Sequence, residues 1–399
     1  MAPLDYFRRV LAGEERAEEL ARAKQPIVGT VCNFVPEEIV RAAGAIPVRV
    51  DSGSYEALAQ ADQALACDAC PIVRATVGDV LRGAGLLRRL DLLVIAGSCD
   101  AKRKMAELLA DACPVHIMAL PASKSEPLAR EAWLDEVLAL RDRVEELCGK
   151  RIGRAELRWA VELSNRRVRA FRRLHRLRAH HPPPLTGEQL FLIANASFAD
   201  DAARWITQVE LLCAELGEEL GKRAPGRAPG ADGPRLLLTG APLIFPNFKL
   251  ISLLERSGAV VVADDMCSAT ERLYHPVVAS EWSELALLRA IADKALLPST
   301  CPCFVGSADR VNRVRELARE FSVDGAVYHA LRMCVAFDME AKPVAEGLAE
   351  EGIPTLRLQS DYTAEDEELL RTRIEAFLEM LAEKAPQGGV YAKAQGGGT

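Results

Sequence analysis

The feature of this chain that most constrains its fold is a strand–helix–strand pattern that occurs once in each half. Each copy contains an apolar run, an amphipathic helix, a Gly-Ala pair and a second apolar run, in that order. The segments are 27–32, 37–43, 44–45 and 45–50 in the first half, and 235–239, 247–257, 258–259 and 259–263 in the second. Strands that alternate with helices favour parallel sheets. The sequence therefore predicts an α/β protein with two Rossmann-like or flavodoxin-like parallel-sheet domains.

The length of 399 residues is enough for two domains of the usual size, roughly 100–200 residues each. Further strands are predicted at 91–96, 115–120, 325–329 and 355–358, and one amphipathic helix at 1–25. Pro-rich breaks and Gly-rich stretches suggest the boundaries. The predicted division is an N-terminal α/β domain at 1–125, a helical insertion at 126–222, a linker at 223–234, a C-terminal α/β domain at 235–385 and a disordered tail at 386–399.

Charge and hydropathy exclude several classes of protein. The net charge of −7 argues against a globally basic nucleic-acid binder. No apolar run approaches the ~18–20 residues that span a membrane, and residues 1–24 lack the apolar segment of a secretory signal. We therefore expect a cytoplasmic protein that binds neither nucleic acid nor membrane. Neither G-x-G-x-x-G nor G-x-x-x-x-G-K-[ST] occurs, so ATP and NAD are not expected to bind by those modes.

The eleven cysteines are the main clue to chemistry. An odd count in a reducing compartment makes a disulfide framework a poor explanation. Six of them fall at or near predicted strand ends or in loops, where parallel sheets bind their ligands. They are Cys32, Cys70, Cys99, Cys267, Cys301 and Cys334. Thiolates that converge in space can hold an iron–sulfur cluster, but spacing alone leaves buried structural thiols equally open.

Two close pairs make the cysteine set ambiguous. Cys67 lies three residues before Cys70, and Cys303 lies two residues after Cys301. A C-x-x-C pair can also be a thioredoxin-like redox motif. The pair at 67–70 follows an Ala-rich segment with no strand immediately before it, which disfavours that interpretation.

Several segments of the chain resemble a known family. They are 29–38 with 42–47, 70–74, 98–105, 238–242, 264–267, 301–303 with Arg310, 324–334 with Glu340, and 361–377. These segments resemble the 2-hydroxyacyl-CoA dehydratases and benzoyl-CoA reductase subunits, and most of all the double-cubane cluster proteins among them. The resemblance covers roughly residues 25–382, and the segment around Cys99 and the one at 361–377 are the most specific.

The resemblance implies α/β domains with a helical insertion and an iron–sulfur cluster in the cleft between the domains. Cys70, Cys99 and Cys334 match the positions that hold one 4Fe–4S cluster in the family. Cys32, Cys267 and Cys301 match the extra ligands of the double-cubane 8Fe–9S cluster. All six are present, which favours the double-cubane branch. The implied activity is ATP-dependent, low-potential reduction of a small substrate.

The resemblance also implies partners. A separate ATPase of the actin-like fold, with its own 4Fe–4S cluster, would supply the electrons, and acyl-CoA is a possible substrate. The chain would act as a homodimer, or as a heterodimer with a related subunit. One alternative is a radical 2-hydroxyacyl-CoA dehydratase or benzoyl-CoA reductase subunit with one 4Fe–4S cluster. Another is a non-enzymatic electron carrier or a cluster-free binding module.

Other residues near the predicted ligands are weaker candidates. His329 lies five residues before Cys334 and could donate a proton, and Glu340 shares that neighbourhood. A hydrogen-bonded structural histidine near a strand end is the simpler explanation of His329. The basic run Lys102–Lys104 follows Cys99 and could offset cluster charge or hold a CoA phosphate, or simply form a solvated helix turn. Val335 stands where close relatives have a histidine after the cysteine, a change that could alter the surroundings of the cluster.

Overall fold

The computed structural model describes residues 2–83, 85–222 and 233–384. Residues 223–232 of the predicted linker and the whole predicted tail lie outside this range. The described chain contains two four-stranded sheets in which all strand pairs are parallel. The strands are β1 Ile27–Val31, β2 Ile46–Arg49, β3 Leu92–Ala96, β4 Val115–Met118, β5 Arg235–Gly240, β6 Val260–Asp264, β7 Gly325–Leu331 and β8 Thr355–Ser360. The predicted α/β fold with two parallel sheets is confirmed.

The helices run between and around these strands. In chain order they are α1 Ala2–Leu11, α2 Ala17–Arg22, α3 Glu37–Ala42, α4 Leu58–Ala61, α5 Pro71–Arg82, α6 Asp100–Leu109, α7 Pro127–Cys148, α8 Arg154–Arg176, α9 Gly187–Ala196, α10 Ala202–Lys222, α11 Lys249–Arg256, α12 Thr270–Tyr274, α13 Glu284–Leu296, α14 Ala308–Glu320, α15 Val335–Ala349 and α16 Glu367–Lys384. Helices α7–α10 occupy the stretch predicted as a helical insertion. None of the described helices is long and apolar enough to cross a membrane.

The two sheets share one topology. The strand orders are β2-β1-β3-β4 and β6-β5-β7-β8, so the first and third strands of each half are central. These four central strands are buried along their whole length, because helices cover both faces of a parallel sheet. Apolar packing also joins the halves, since Val28 of the first sheet and Leu237 of the second belong to one continuous core. The division into domains stays a prediction.

Three helix boundaries differ from the prediction. The N-terminal segment forms α1 and α2 instead of one helix, with Gly13 between them at φ +79°, a conformation that glycine adopts without strain. Helix α5 has no counterpart in the sequence-based prediction. The sequence pattern predicts a helix over 340–351, but helix α15 begins five residues earlier, at Val335. Both α5 and α15 begin directly after a cysteine, so the Ser, Thr, Asp or Asn that usually signals a helix start is missing.

A buried histidine in α8 predicts a pH-dependent stability. His175 is fully buried, stacks on Phe171 with ring centroids 5.9 Å apart, and meets the edge of Phe321 at 4.7 Å. Neither ring nitrogen has a hydrogen-bond partner within the described residues. Burial, and next the neighbouring Arg178 and Arg313, lower the pKa of His175 to about 3. The folded protein therefore keeps this imidazole neutral at pH values where the unfolded chain binds a proton.

We expect His175→Leu to lose less stability than the wild type as the pH falls below about 6.5. The folded pKa lies below the unfolded value of about 6.5, so His175 costs stability increasingly as pH falls from 6.5 toward 3. The free energy of unfolding of the variant, relative to that of the wild type, should rise by roughly 2 kcal/mol between pH 7.5 and pH 5. Urea unfolding at both pH values measures this gain. His180→Leu, at an exposed position, is the control, and an equal gain in both variants would contradict the prediction.

Candidate functional site

The six predicted cysteines line one cavity between the two sheets. Cys303 lines the same cavity, which therefore has seven thiols in its wall. Cys67 is exposed and does not line it. The structure therefore distinguishes Cys70 from Cys67 as a candidate ligand, but it does not distinguish Cys301 from Cys303, because both line the cavity. The other thiols, Cys113, Cys148 and Cys213, lie elsewhere.

The parallel topology explains how distant cysteines meet. Cys32 follows the last residue of β1, and Cys99 comes three residues after β3 ends. Cys267 and Cys334 stand in the same relation to β6 and β7 of the second sheet. The carboxyl ends of parallel strands are the usual ligand-binding edge of such sheets. Each sheet therefore contributes thiols from that edge to a shared cavity.

Three of these thiols sit in one structural setting. Cys70, Cys99 and Cys334 are the N-cap residues of α5, α6 and α15. The free amides and positive dipole end of a helix favour negative charge at this position. The side chains of these cysteines accept no capping hydrogen bond. The backbone amide of the third helical residue nevertheless lowers the pKa of each thiol. These amides, of Val73, Lys102 and Phe337, each favour the thiolate form of their cap cysteine.

Two pairs of thiols in the cavity wall interact with each other. The interaction with Cys334 lowers the pKa of Cys70, and the interaction with Cys70 together with burial raises the pKa of Cys334. The interaction with Cys303 together with burial raises the pKa of Cys301. The first pair joins a residue of the first half to one of the second.

The Cys32 loop is held in a strained conformation by buried charges. Cys32 has φ +77°, in the left-handed region that costs a residue with a side chain about 1–3 kcal/mol. Its amide donates to Asp51 Oδ2 at 3.0 Å, and Asp51 forms a buried ion pair with Arg49. Arg49 Nη1 also donates to Asn33 Oδ1 at 2.8 Å. These contacts fix where the Cys32 thiol points.

Two charged side chains line the cavity besides the cysteines, Lys102 and Glu271. Glu271 Oε2 accepts a hydrogen bond of 2.5 Å from Asn33 Nδ2, and burial raises the pKa of Glu271. For Lys102, burial opposes the charged form. The nearby thiol of Cys32, the carboxylate of Asp51 and further thiols outweigh this effect of burial and raise the pKa of Lys102 well above its usual value. No motif in the sequence predicts Glu271, whose only signal is its place four residues after Cys267.

His329 and Glu340 do not line the cavity. His329 is buried in β7, with Nδ1 3.0 Å from the Ala241 carbonyl and Nε2 2.8 Å from Ser360 Oγ. Burial lowers the pKa of His329 to about 4. Glu340 Oε2 instead lies 2.7 Å from Arg310 Nε and accepts a hydrogen bond from the Tyr328 hydroxyl at 3.2 Å. Their catalytic roles stay predictions, and in this structure both side chains hold other groups in place.

The donor set suits an iron–sulfur group. Sulfur dominates it, and no histidine lines the cavity among the described residues. The thiols are spread around the wall, and in the part of the chain that the structure describes no three His, Cys, Asp or Glu converge on a single ion. Apolar side chains form much of the rest of the wall: Phe34, Ile72, Val73, Leu331 and Phe337. Seven thiols exceed the four ligands of a tetrahedral mononuclear site, so the donor set is large enough for a multinuclear, thiolate-bound group.

The chain is similar along most of its length to several known proteins. A protein of Escherichia coli (strain K12) provisionally described as the dehydratase subunit YjiM is 32% identical over 89% of this chain and 91% of its own length. The (R)-2-hydroxyglutaryl-CoA dehydratase subunit beta of Acidaminococcus fermentans is 23% identical over 95% and 99%. One subunit of the benzoyl-CoA reductase of Thauera aromatica is 22% identical over 80% and 82%. Residues 32–381 match the family described as 2-hydroxyglutaryl-CoA dehydratase, D-component, and the chain belongs to that family.

Proposed function

We propose that this chain is the iron–sulfur component of an ATP-dependent system that delivers low-potential electrons to a small substrate. The proposed cofactor is a double-cubane 8Fe–9S cluster held by the six cysteines Cys32, Cys70, Cys99, Cys267, Cys301 and Cys334. The observation that carries the proposal is that all six line one cavity, although up to 302 residues of sequence separate them. Buried structural thiols would have no reason to converge in this way.

When bound, the cluster would supply a single electron at low potential. The chain's own residues would prepare the site for it. The N-termini of α5, α6 and α15 favour thiolate at Cys70, Cys99 and Cys334, which is the form that binds metal. Phe34 and Phe337 keep part of the wall apolar and limit the access of water. Asp51 and Arg49 hold the strained Cys32 loop in place.

The electron source in this proposal is a separate ATPase of the actin-like fold. Raising an electron by a few hundred millivolts costs several kcal/mol, on the order of 1.4 kcal/mol per 59 mV, so the system needs an external energy source. The sequence has neither glycine-rich nucleotide motif, which is consistent with ATP binding on another protein. The proposed assembly is a dimer, with a second copy or with a related subunit.

A second candidate is a radical dehydratase or benzoyl-CoA reductase subunit with one 4Fe–4S cluster. The observation that favours it is the shared N-cap setting of Cys70, Cys99 and Cys334, which Cys32, Cys267 and Cys301 lack. The named relatives include a dehydratase subunit and a reductase subunit. Acyl-CoA would be the substrate class in this case.

Iron and acid-labile sulfide per chain, measured on anaerobically purified protein, separate the candidates. About eight irons support the double-cubane cluster with all six cysteines as ligands. About four support the single cluster held by Cys70, Cys99 and Cys334, with the other three as structural thiols. A protein free of iron and sulfide, both as purified and after anaerobic reconstitution, would contradict both and favour a cluster-free binding module.

A further inference from the structure

Lys102 differs from the two basic residues that follow it. Arg103 and Lys104 are exposed and pair with acids of their own helix, Asp100 at 3.1 Å and Glu107 at 2.7 Å. Lys102 is half-buried and lines the cavity instead. Within the described residues its ammonium makes no hydrogen bond or ion pair. One member of the basic run therefore faces the thiols, and the other two face solvent.

The position of Lys102 carries two electrostatic costs. It occupies the third residue of α6, and a cation near a helix N-terminus opposes the helix dipole. An ammonium taken from water into a partly apolar site also loses solvation. The buried carboxylate of Asp51 and the neighbouring thiols favour the ammonium against these costs, and a negatively charged group bound in the cavity would favour it further.

Lys102 is within electrostatic range of thiols from both halves of the chain. Its charge interacts with Cys32 and Cys99 of the first half. It also interacts with Cys267, Cys301 and Cys334 of the second half. The N-termini of α5, α6 and α15 add positive potential from the surrounding wall. Lys102, Arg49 and the three helix ends therefore act on the thiols as positive charge, against the carboxyls of Glu271 and Asp51.

We propose that Lys102 is the common counter-cation of the site, and that its ammonium compensates the negative charge of a thiolate-bound cluster that spans both halves. This inference rests on the proposed function and adds to it a named positioning residue. Lys102 would act through the ligands, by stabilising the reduced, more negative state of the bound group and slowing its loss. Arg103 and Lys104 have no part in this role.

The test compares Lys102→Met, which removes the charge at similar length, with Lys102→Arg, which keeps it. Lys104→Met, on the solvent side of the same helix, is the matched control. In Lys102→Met we expect iron release to a chelator to be about tenfold faster, because a half-buried cation within range of the thiolates is lost. We also expect its midpoint potential to be more negative. Lys102→Arg and Lys104→Met should stay close to wild type in both measurements.

Urea unfolding of the iron-free proteins tests whether the role of Lys102 is merely structural. In the iron-free protein Lys102 keeps its interaction with the buried carboxylate of Asp51. The folding constant of apo Lys102→Met should therefore stay within a few-fold of the apo wild type, whereas the loaded variant should lose iron faster. A folding constant of the apo variant reduced tenfold or more, or wild-type iron release and potential, would overturn the inference. An iron-free wild type would overturn the proposed function as well, so the two failures are distinguishable.

Discussion

Anaerobically purified Cys334→Ala protein is expected to contain less than about half of the iron found in the wild type. Cys334 caps α15, lines the cavity and interacts with Cys70 of the first half, so its removal takes a thiol from the proposed ligand set. The loss should be nearly complete if one 4Fe–4S cluster is present. It should be nearer half if the second set of three thiols holds a cubane of its own. Iron and acid-labile sulfide per chain give the measurement.

Two other cysteines provide the controls for this loss. Cys148→Ala removes a half-buried thiol at the end of α7, far from the cavity wall, and should keep the full iron content. Cys67→Ala should also keep it, because Cys67 is exposed and outside the cavity. Wild-type iron in Cys334→Ala, or equal losses in Cys67→Ala and Cys70→Ala, would contradict the assignment of ligands.

Replacing Arg310 by methionine is expected to destabilise the fold by about 3–5 kcal/mol, because one buried guanidinium compensates two buried carboxylates. Arg310 Nη1 lies 2.6 Å from Asp265 Oδ2, and its Nε lies 2.7 Å from Glu340 Oε2, although that N–H does not point at the oxygen. All three side chains are almost fully buried. Without the guanidinium, Asp265 and Glu340 would be left as unpaired acids in an apolar surrounding.

The cost of Arg310→Met should depend on pH. Burial raises the pKa of Glu340 to about 7 even beside Arg310, so this carboxyl can take up a proton as pH falls. Protonation removes one of the two unpaired charges, and the destabilisation should therefore be smaller at pH 6 than at pH 8. Urea unfolding at both values measures the difference.

Arg319→Met on the same helix is the matched control. Arg319 is exposed and pairs with Glu351 at 2.5 Å, so its loss should cost less than about 1 kcal/mol at either pH. A similar cost for both variants would show that the buried triad contributes no more than a surface pair. A cost of Arg310→Met that grows as pH falls would contradict the pH argument.

Much of the fold could be predicted because its signals are local. The four central strands are continuous apolar runs, since helices cover both faces of each sheet. The six cysteines could be selected for the same reason, because their places at predicted strand ends or in loops are local signals too. The helix starts after Cys70 and Cys334 escaped prediction, since cysteine is not a usual N-cap residue.

The details of the site depend on side-chain direction, which a linear pattern does not carry. Cys67 and Cys70 are indistinguishable by spacing, and only the start of α5 turns Cys70 inward and leaves Cys67 in solvent. His329 is near Cys334 in sequence, yet its side chain in β7 contacts Ala241 and Ser360 rather than the cavity. Glu271 has no motif at all, and reaches the cavity because α12 follows the Cys267 loop.

The sequence by itself determined the α/β class, the repeated sheet plan and the set of cysteines, because alternation of apolar runs with helices and the position of a thiol after a strand are properties of neighbouring residues. Only the tertiary structure decided that these thiols share one cavity and that Lys102 faces them while Arg103 and Lys104 do not. The physical reason is that charge compensation and metal ligation act through space over a few ångströms. Residues as distant in the chain as Cys32 and Cys334 become neighbours only when both sheets are assembled.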